Sequence, residues 1–271
     1  MTTEITTATN AGTIDLSIDV PGTVEQVWRA ISSGPGISSW YVPHVVEERS
    51  GGHAVASFGP GPEMQIPGRV AVWEPQQRIV FDGGEDAGGL SFEWTMVPRS
   101  PGITTVRLVN AGFGDGADAQ AQIDGMEHGW RFFLLNLKMH LEHFAGRSAT
   151  SALPMAQWSC AADRAWNTLL ERTGLPTNTD QADSVTATFD ETAVLRGTVG
   201  RQGERWLLLV LDEPAPGTAL IAAEGGDDSC GVSVWSYLYG ETGESAAGSL
   251  DQPIRDWLEA NGPDGGGEHG A

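Results

Sequence analysis

His140 and His143 stand one helical turn apart with Glu142 between them. Two imidazoles at that spacing can share an ion, but a stable zinc site needs a third protein ligand. None stands nearby in sequence, so neither a metal nor a cofactor is expected. Polar or cationic groups near a helix C-terminus more simply offset its dipole. Glu127 and His128 are residue types that perform general acid–base work. On a helix, neighbours point about 100° apart, so at most one of them faces an interior. His44 and His53 flank a short apolar segment and are expected at the surface. Cys160 and Cys230 are far apart and share no motif, which argues against a disulfide framework and makes a cytosolic (cytoplasmic) location the default. Gly59-Pro60-Gly61-Pro62 lacks a Lys-Ser or Lys-Thr pair and a following helix, so it is not a phosphate loop. No Gly-x-Ser-x-Gly elbow is present. No residue is therefore assigned a catalytic role.

Aromatic residues carry more information. Trp40, Phe58, Phe81, Phe92, Trp94 and Trp130 fall where a sheet and a covering helix are expected to meet, with Met126 and Leu134 on that helix. Two readings are open: plain core, or the wall of an apolar pocket with few polar anchors. On the second reading these eight residues are the ligand-binding candidates.

The elements that must position them follow from periodicity. Ile14, Leu16, Ile18 and Val20 alternate with Asp15, Ser17 and Asp19, a half-buried strand ended by Pro21-Gly22. Thr23 stands three residues before Gln26, a capping-box spacing that starts a helix through Val27, Trp28 and Ile31. A period of two then predicts strands near 45–50, 53–59, 64–74, 78–83, 90–98 and 103–112, separated by Gly/Pro-rich turns. Such short connections demand an antiparallel meander. Ile123, Met126, Trp130, Phe133, Leu134, Leu137, Leu141 and Phe144 repeat at three and four, predicting a helix over about 119–145. At 1.5 Å per residue it runs roughly 40 Å, enough to cross a sheet. Asp115 and Asp118 suit its electropositive start, and Gly146 its C-terminal end. Gly125 and Gly129 each cost about 1 kcal/mol within it; close packing on the sheet or a kink beside a cavity would account for them.

In order and spacing, these segments resemble the START-like, or SRPBCC, superfamily. Val20-Pro-Gly-Thr-Val-Glu-Gln-Val-Trp28-Arg-Ala-Ile31 with Ser39-Trp40 looks like its opening. Gly68-Arg-Val-Ala-Val-Trp-Glu-Pro75 with Arg78-Ile-Val-Phe81 is similar to its central hairpin. Thr104 to Phe113, Glu127-His128-Gly129-Trp130 and Leu137-Lys138 look like the end of the branch named for the activator of Hsp90 ATPase. The resemblance covers about 12–147 and implies an α+β helix-grip domain: a curved antiparallel sheet wrapped around a long C-terminal helix.

Beyond it, Ala149 to Met155 reads as a linker, and a smaller α+β domain is expected over 156–261. Ser159 is placed to cap a helix carrying Ala162, Trp166, Leu169 and Leu170 and closed by Gly174. Alternating segments lie near 185–189, 193–199, 205–211, 218–224 and 231–239, followed by a short helix around Gln252 to Ala260. Trp166 stands 138 positions after Trp28, as Leu169 does after Ile31. That offset suggests a truncated START-like repeat, missing its first strand and most of its long helix; an unrelated small domain is the alternative. A Gly-rich tail, 262–271, is expected to lack structure.

Charge narrows the partners. The chain has 271 residues, with 36 acidic against 15 basic and a net charge of −21. Up to Gly146 there are 17 acidic and 8 basic residues, a net of −9, so the acidity is spread along the chain. Such a field repels phosphate backbones and anionic headgroups, so neither nucleic acid nor membrane is an expected partner. The opening residues lack the basic start and apolar run of a signal peptide. The expected function is a cytosolic, non-enzymatic START-like binding protein holding a small hydrophobic ligand between sheet and helix. The resemblance also implies two alternatives, a polyketide cyclase/dehydratase-like enzyme and an Hsp90-type chaperone cofactor. Against the last, the eukaryotic activator carries a chaperone-binding domain ahead of its START-like domain, whereas here the START-like segment comes first. A protein partner or a homodimer stays open.

Overall fold

In the computed structural model the chain divides into two compact units, Met1–Ser148 and Ala149–Ala271. The residues described are 4–8, 12–59, 61–84, 89–114, 116 and 119–263. Asp115, Asp118, Pro60 and the tail from 264 onward lie outside them.

The first unit runs β1 (Ile5–Thr7), β2 (Ile14–Pro21), α1 (Val24–Ser32), α2 (Gly34–Ile37), β3 (His44–Val46), β4 (His53–Ser57), β5 (Gln65–Glu74), β6 (Arg78–Asp82), β7 (Ser91–Ser100), β8 (Ile103–Ala111) and α3 (Ala119–His143). All eight strands form one antiparallel sheet in the order β1-β2-β8-β7-β6-β5-β4-β3. The first long strand thus pairs with the last, and the meander steps back from there. Register shifts at Val70/Val72 in β5 and Pro98/Ser100 in β7 add the local bend that such irregularities give a strand.

The local reasons match the residues. Ile14, Leu16, Ile18 and Val20 are all buried on β2. The Thr23 backbone N–H donates to Gln26 Oε1 at 2.8 Å, and the Gln26 N–H donates to Thr23 Oγ1 at 3.3 Å, the reciprocal cap at the start of α1. Trp28 of α1 meets Trp73 of β5 edge-on at 5.1 Å. Helix α3 packs on β2, and its Ile123, Trp130, Leu134, Leu137 and Leu141 enter the core shared with both faces of that contact. This is the α+β helix grip: one curved antiparallel sheet around one long helix.

The second unit runs β9 (Ala149–Ala152), β10 (Met155–Trp158), α4 (Ala162–Thr173), β11 (Ser184–Thr188), β12 (Val194–Gly203), β13 (Trp206–Glu213), β14 (Gly217–Gly225), β15 (Cys230–Tyr239) and α5 (Gly240–Ala260). Its sheet order is β10-β15-β14-β13-β12-β11, with β9 also on β15. Four expectations are corrected. The segment from Ala149 is not a linker, because it supplies β9 and the start of β10. The first strand is present, as β10. The final helix is long, 21 residues, not a short one from Gln252. Its first half is poor in helix formers, and it is held by burial of Gly243, Ala247 and Leu250. In α4 the cap residue is Ala161, without a side-chain hydrogen bond, so Ser159 does not cap it; Gly174 closes the helix at φ 75°, as its residue type allows.

Candidate functional site

Between the sheet and α3 of the first unit lies a cavity of about 450 Å³, within the ~300–1,000 Å³ of small-molecule sites. Four parts of the chain build it. Helix α3 contributes Met126, Gly129, Trp130 and Phe133; the segment after α2 contributes Trp40, Tyr41 and His44; β4 to β6 contribute Ala54, Ala56, Ile66, Arg69, Phe81 and Asp82; β7 adds Phe92 and Trp94, and Phe58 closes the edge after β4.

Of the eight residues singled out in sequence, Trp40, Phe58, Phe81, Phe92, Trp94, Met126 and Trp130 border this cavity. Leu134 does not: it is fully buried in the hydrophobic core, one turn beyond Trp130, where the stripe on α3 is already sealed. The rings form a connected wall. Trp130 meets Trp94 edge-on at 5.5 Å and Phe92 at 5.8 Å. Phe81 and Phe92 are cross-strand partners on β6 and β7. Trp40 is fixed twice: its indole N–H donates to the Ala30 carbonyl at 2.9 Å, and its own carbonyl accepts from Asn136 Nδ2 on α3 at 2.9 Å.

Tyr41 is the hub that sequence reasoning missed. Its ring lies 4.4 Å from Phe133, 5.0 Å from Trp130, 5.5 Å from His44 and 6.1 Å from Phe58. Burial raises the Tyr41 phenol well above its ordinary range, so it stays protonated. His44 was expected at the surface; it is instead half-buried and on the cavity wall. Its Nδ1 lies 2.8 Å from the Val42 carbonyl. A carbonyl can only accept, so Nδ1 carries the hydrogen and Nε2 the lone pair. Desolvation lowers the His44 pKa, with the Val42 hydrogen bond opposing, and keeps this neutral tautomer at neutral pH. Tyr41 sits in no periodic segment and His44 only opens the three-residue β3, so the Trp40-Tyr41 aromatic pair was the one hint of them.

Polar groups are few. Arg69 and Asp82, paired across β5 and β6, form a two-pronged ion pair at 2.8 and 3.3 Å on the rim. Hydrogen bonding from Arg69 lowers the Asp82 pKa, more than burial raises it. Deeper in, Trp130 is 5% exposed and its Nε1–H has no hydrogen-bond partner among the described residues. Leaving such a donor buried and unsatisfied costs about 1–3 kcal/mol.

The other sequence candidates lie elsewhere. Glu127 pairs with Arg131 at 2.7 Å, and His128 is exposed against the Phe132 ring. Among the described residues, no three His, Cys, Asp or Glu side chains gather where they could hold a metal. His140 is buried, and burial pulls its pKa down to about 4. Cys160 and Cys230, distant in sequence, meet as free buried thiols in the second unit; burial first, then the neighbouring Cys160, raises the Cys230 pKa. Such a thiol is a poor nucleophile. No described helix is long and apolar enough to cross a membrane.

Residues 21–142 match the model of the family described as activator of Hsp90 ATPase homolog 1-like protein. No curated protein matches the chain. Among solved structures, the Aha1 dimer from Colwellia psychrerythraea is similar at 18% identity, over 48% of this chain and 96% of that one, with a TM-score of 0.41. The di-domain ARO/CYC BexL is similar over 92% of this chain and 93% of its own, at 14% identity and a TM-score of 0.44. DynU16, from the dynemicin biosynthetic locus, is similar over 92% and 95%, at 17% identity and 0.43. Over residues 21–142 the first unit carries the match to the activator of Hsp90 ATPase homolog 1-like family, on an α+β helix-grip fold.

Proposed function

We propose that the first unit is a binding module that holds a small hydrophobic molecule between its sheet and α3. The observation that carries this reading is the aromatic cavity itself. It is walled by rings from the sheet, from α3 and from the Trp40–His44 segment, with few polar side chains among the described residues that line it. A protein that needed only a core would gain by filling that space, since voids forfeit dispersion contacts. The two free thiols fit a reducing compartment such as the cytosol. The second unit, with its first strand paired to its last and a helix closing the meander, supports reading it as a second copy of the same fold.

One observation favours a second reading, an enzyme of the cyclase kind: His44 presents a neutral imidazole in an apolar cavity, the state a general base needs. Native mass spectrometry of the full chain tests the binding reading. A co-purifying small molecule, released on denaturation, is expected. A protein that carries none, and also binds no apolar aromatic compound in solution, would refute it.

A further inference from the structure

Cys160 and Cys230 are far apart in sequence, yet the second unit brings them to one end of its sheet. Cys230 opens β15, where it pairs with Trp158, the last residue of β10, and with Gly225, the last of β14. The chain leaving β10 then doubles back: the Cys160 N–H donates to the Trp158 carbonyl at 3.0 Å. Two residues on, the Ala162 N–H donates at 3.2 Å to the carbonyl of Gly226, the residue after Cys230's partner Gly225. Cys160 is thus tied on both sides to the strand ends that hold Cys230, and the two thiols hydrogen-bond to each other. Arg205, paired with Asp163 of α4 at 2.9 Å, brings a positive charge that favours the Cys230 thiolate against the burial opposing it.

We infer that Cys160 and Cys230 form an oxidative modification site: hydrogen peroxide converts the two thiols into an intrachain disulfide, and a thiol reductant restores them. One sulfur, as thiolate, attacks a peroxide oxygen; the O–O bond breaks, the sulfur becomes a sulfenic acid, and hydroxide leaves with the thiol's proton as water. The second sulfur then attacks the sulfenic sulfur; the S–S bond forms, and the hydroxyl departs with the second proton as another water. Two thiols thus give two electrons to one peroxide. The contact between the thiols decides the product, because the partner sulfur captures the sulfenic acid before a second peroxide carries it to sulfinic acid. Burial decides the oxidant: at 5% and 2% exposure the pair admits a molecule the size of hydrogen peroxide more readily than a bulky disulfide. The bond closes a loop of about 70 residues that spans α4 and β11 to β14, so it stabilises the second unit by restricting its unfolded chain.

The test exposes the native full-length protein to hydrogen peroxide, denatures it, alkylates the remaining thiols and maps the peptides without reduction. A peptide containing Cys160 joined to one containing Cys230 is expected, within a single chain, with both thiols lost together and both recovered by dithiothreitol. Calorimetry should show the second unit's transition raised by about 5 °C or more after oxidation, and returned by the reductant. Cys160→Ser supplies the control. Its Cys230 should be trapped by dimedone as a sulfenic acid, with no thermal gain. The six methionines are oxidised alike in both proteins, so the difference between them reads the bond. Should that variant unfold, the wild-type peptide map decides. Two thiols still open to alkylation, after an exposure that fully oxidises free cysteine, would overturn the inference. So would separate sulfinic acids, or a bridge between two chains. A bond that forms without raising the transition would refute its stabilising role.

Discussion

Replacing Gly129 by alanine tests whether the cavity is where the structure puts it. Gly129 lies well inside α3, where glycine costs about 0.8–1.0 kcal/mol relative to alanine. A methyl group built on Gly129 meets nothing within 4 Å, and the same holds for Gly125, one turn earlier. Close packing on the sheet, one of the explanations offered by the sequence, therefore accounts for neither glycine. With no clash to offset it, Gly129→Ala should raise stability by nearly the full propensity term, about 1 kcal/mol. Gly125→Ala should do the same. In urea, with a slope of about 1–3 kcal/mol per molar, either change moves the midpoint of the first unit's transition up by about 0.3–1 M. The two differ in one respect: Gly129 borders the cavity and Gly125 does not. Only Gly129→Ala should weaken the binding of an apolar aromatic compound. If Gly129→Ala destabilises the protein while Gly125→Ala stabilises it, then helix and sheet touch at that point, and the reasoning that opened a cavity there is wrong.

Two further outcomes are expected. His140 is buried and its pKa is lowered to about 4, against about 6.5 when unfolded. A folded-state pKa below the unfolded one gives stability that is complete above pH 6.5 and is lost as pH falls toward 4; the loss by pH 4 is about 3 kcal/mol. His140→Gln should remove that component, so parallel wild-type and variant stability curves between pH 7 and 4 would contradict it. A fragment ending at Ser148 should unfold in one cooperative thermal transition, because every strand of the eight-stranded sheet and its covering helix lie within it; a fragment with no transition would show that the first unit depends on the rest of the chain.

What could be read in the residues was what repeats. The alternation of β2 and the stripe of α3 each bury one face, so a period of 2 or 3.6 survives in the sequence. The turn residues that separate the meander's strands are just as visible, because Gly and Pro are chosen for backbone angles. What could not be read lacked a period. Strand β1 is three residues, Ile5-Thr6-Thr7, ordered by pairing with β2. The first half of α5 reads as a Gly/Ser-rich loop, and tertiary packing makes it helix. Tyr41 sits in the turn after α2 and His44 opens β3, so their shared position on the cavity wall is set by how α2 and Trp40 are pinned, which no local pattern records. Leu134 shows the converse: the stripe on α3 marks an apolar face correctly but does not say where along the helix the cavity ends and the core begins.

The two units argue together for why the cavity belongs to the first. Both wind the same way: a strand that pairs with the last strand, a helix carrying a buried tryptophan, a meander, and a final helix against the sheet. Trp28 and Trp166 occupy the early helix in each. The final helices differ in the residues turned inward. Helix α5 buries Gly243 and Ala247 ahead of Leu250, and a methyl group on Gly243 would lie 2.5 Å from the Leu238 backbone carbon. That glycine is required where β15 turns into α5; beyond the turn, α5 packs on β15, β9 and β10. Helix α3 turns Met126, Trp130 and Phe133 toward the sheet, and a methyl group on its glycines would meet nothing. The distance between packed elements is set by the side chains between them. A helix that faces its sheet with small residues settles close, whereas one that faces it with an indole and a phenyl ring is held off by their width. Rings also on the facing strands cannot interdigitate to fill the gap. The same topology thus yields close helix contact in one unit and a ring-lined cavity in the other, through the choice of inward residues on a single helix.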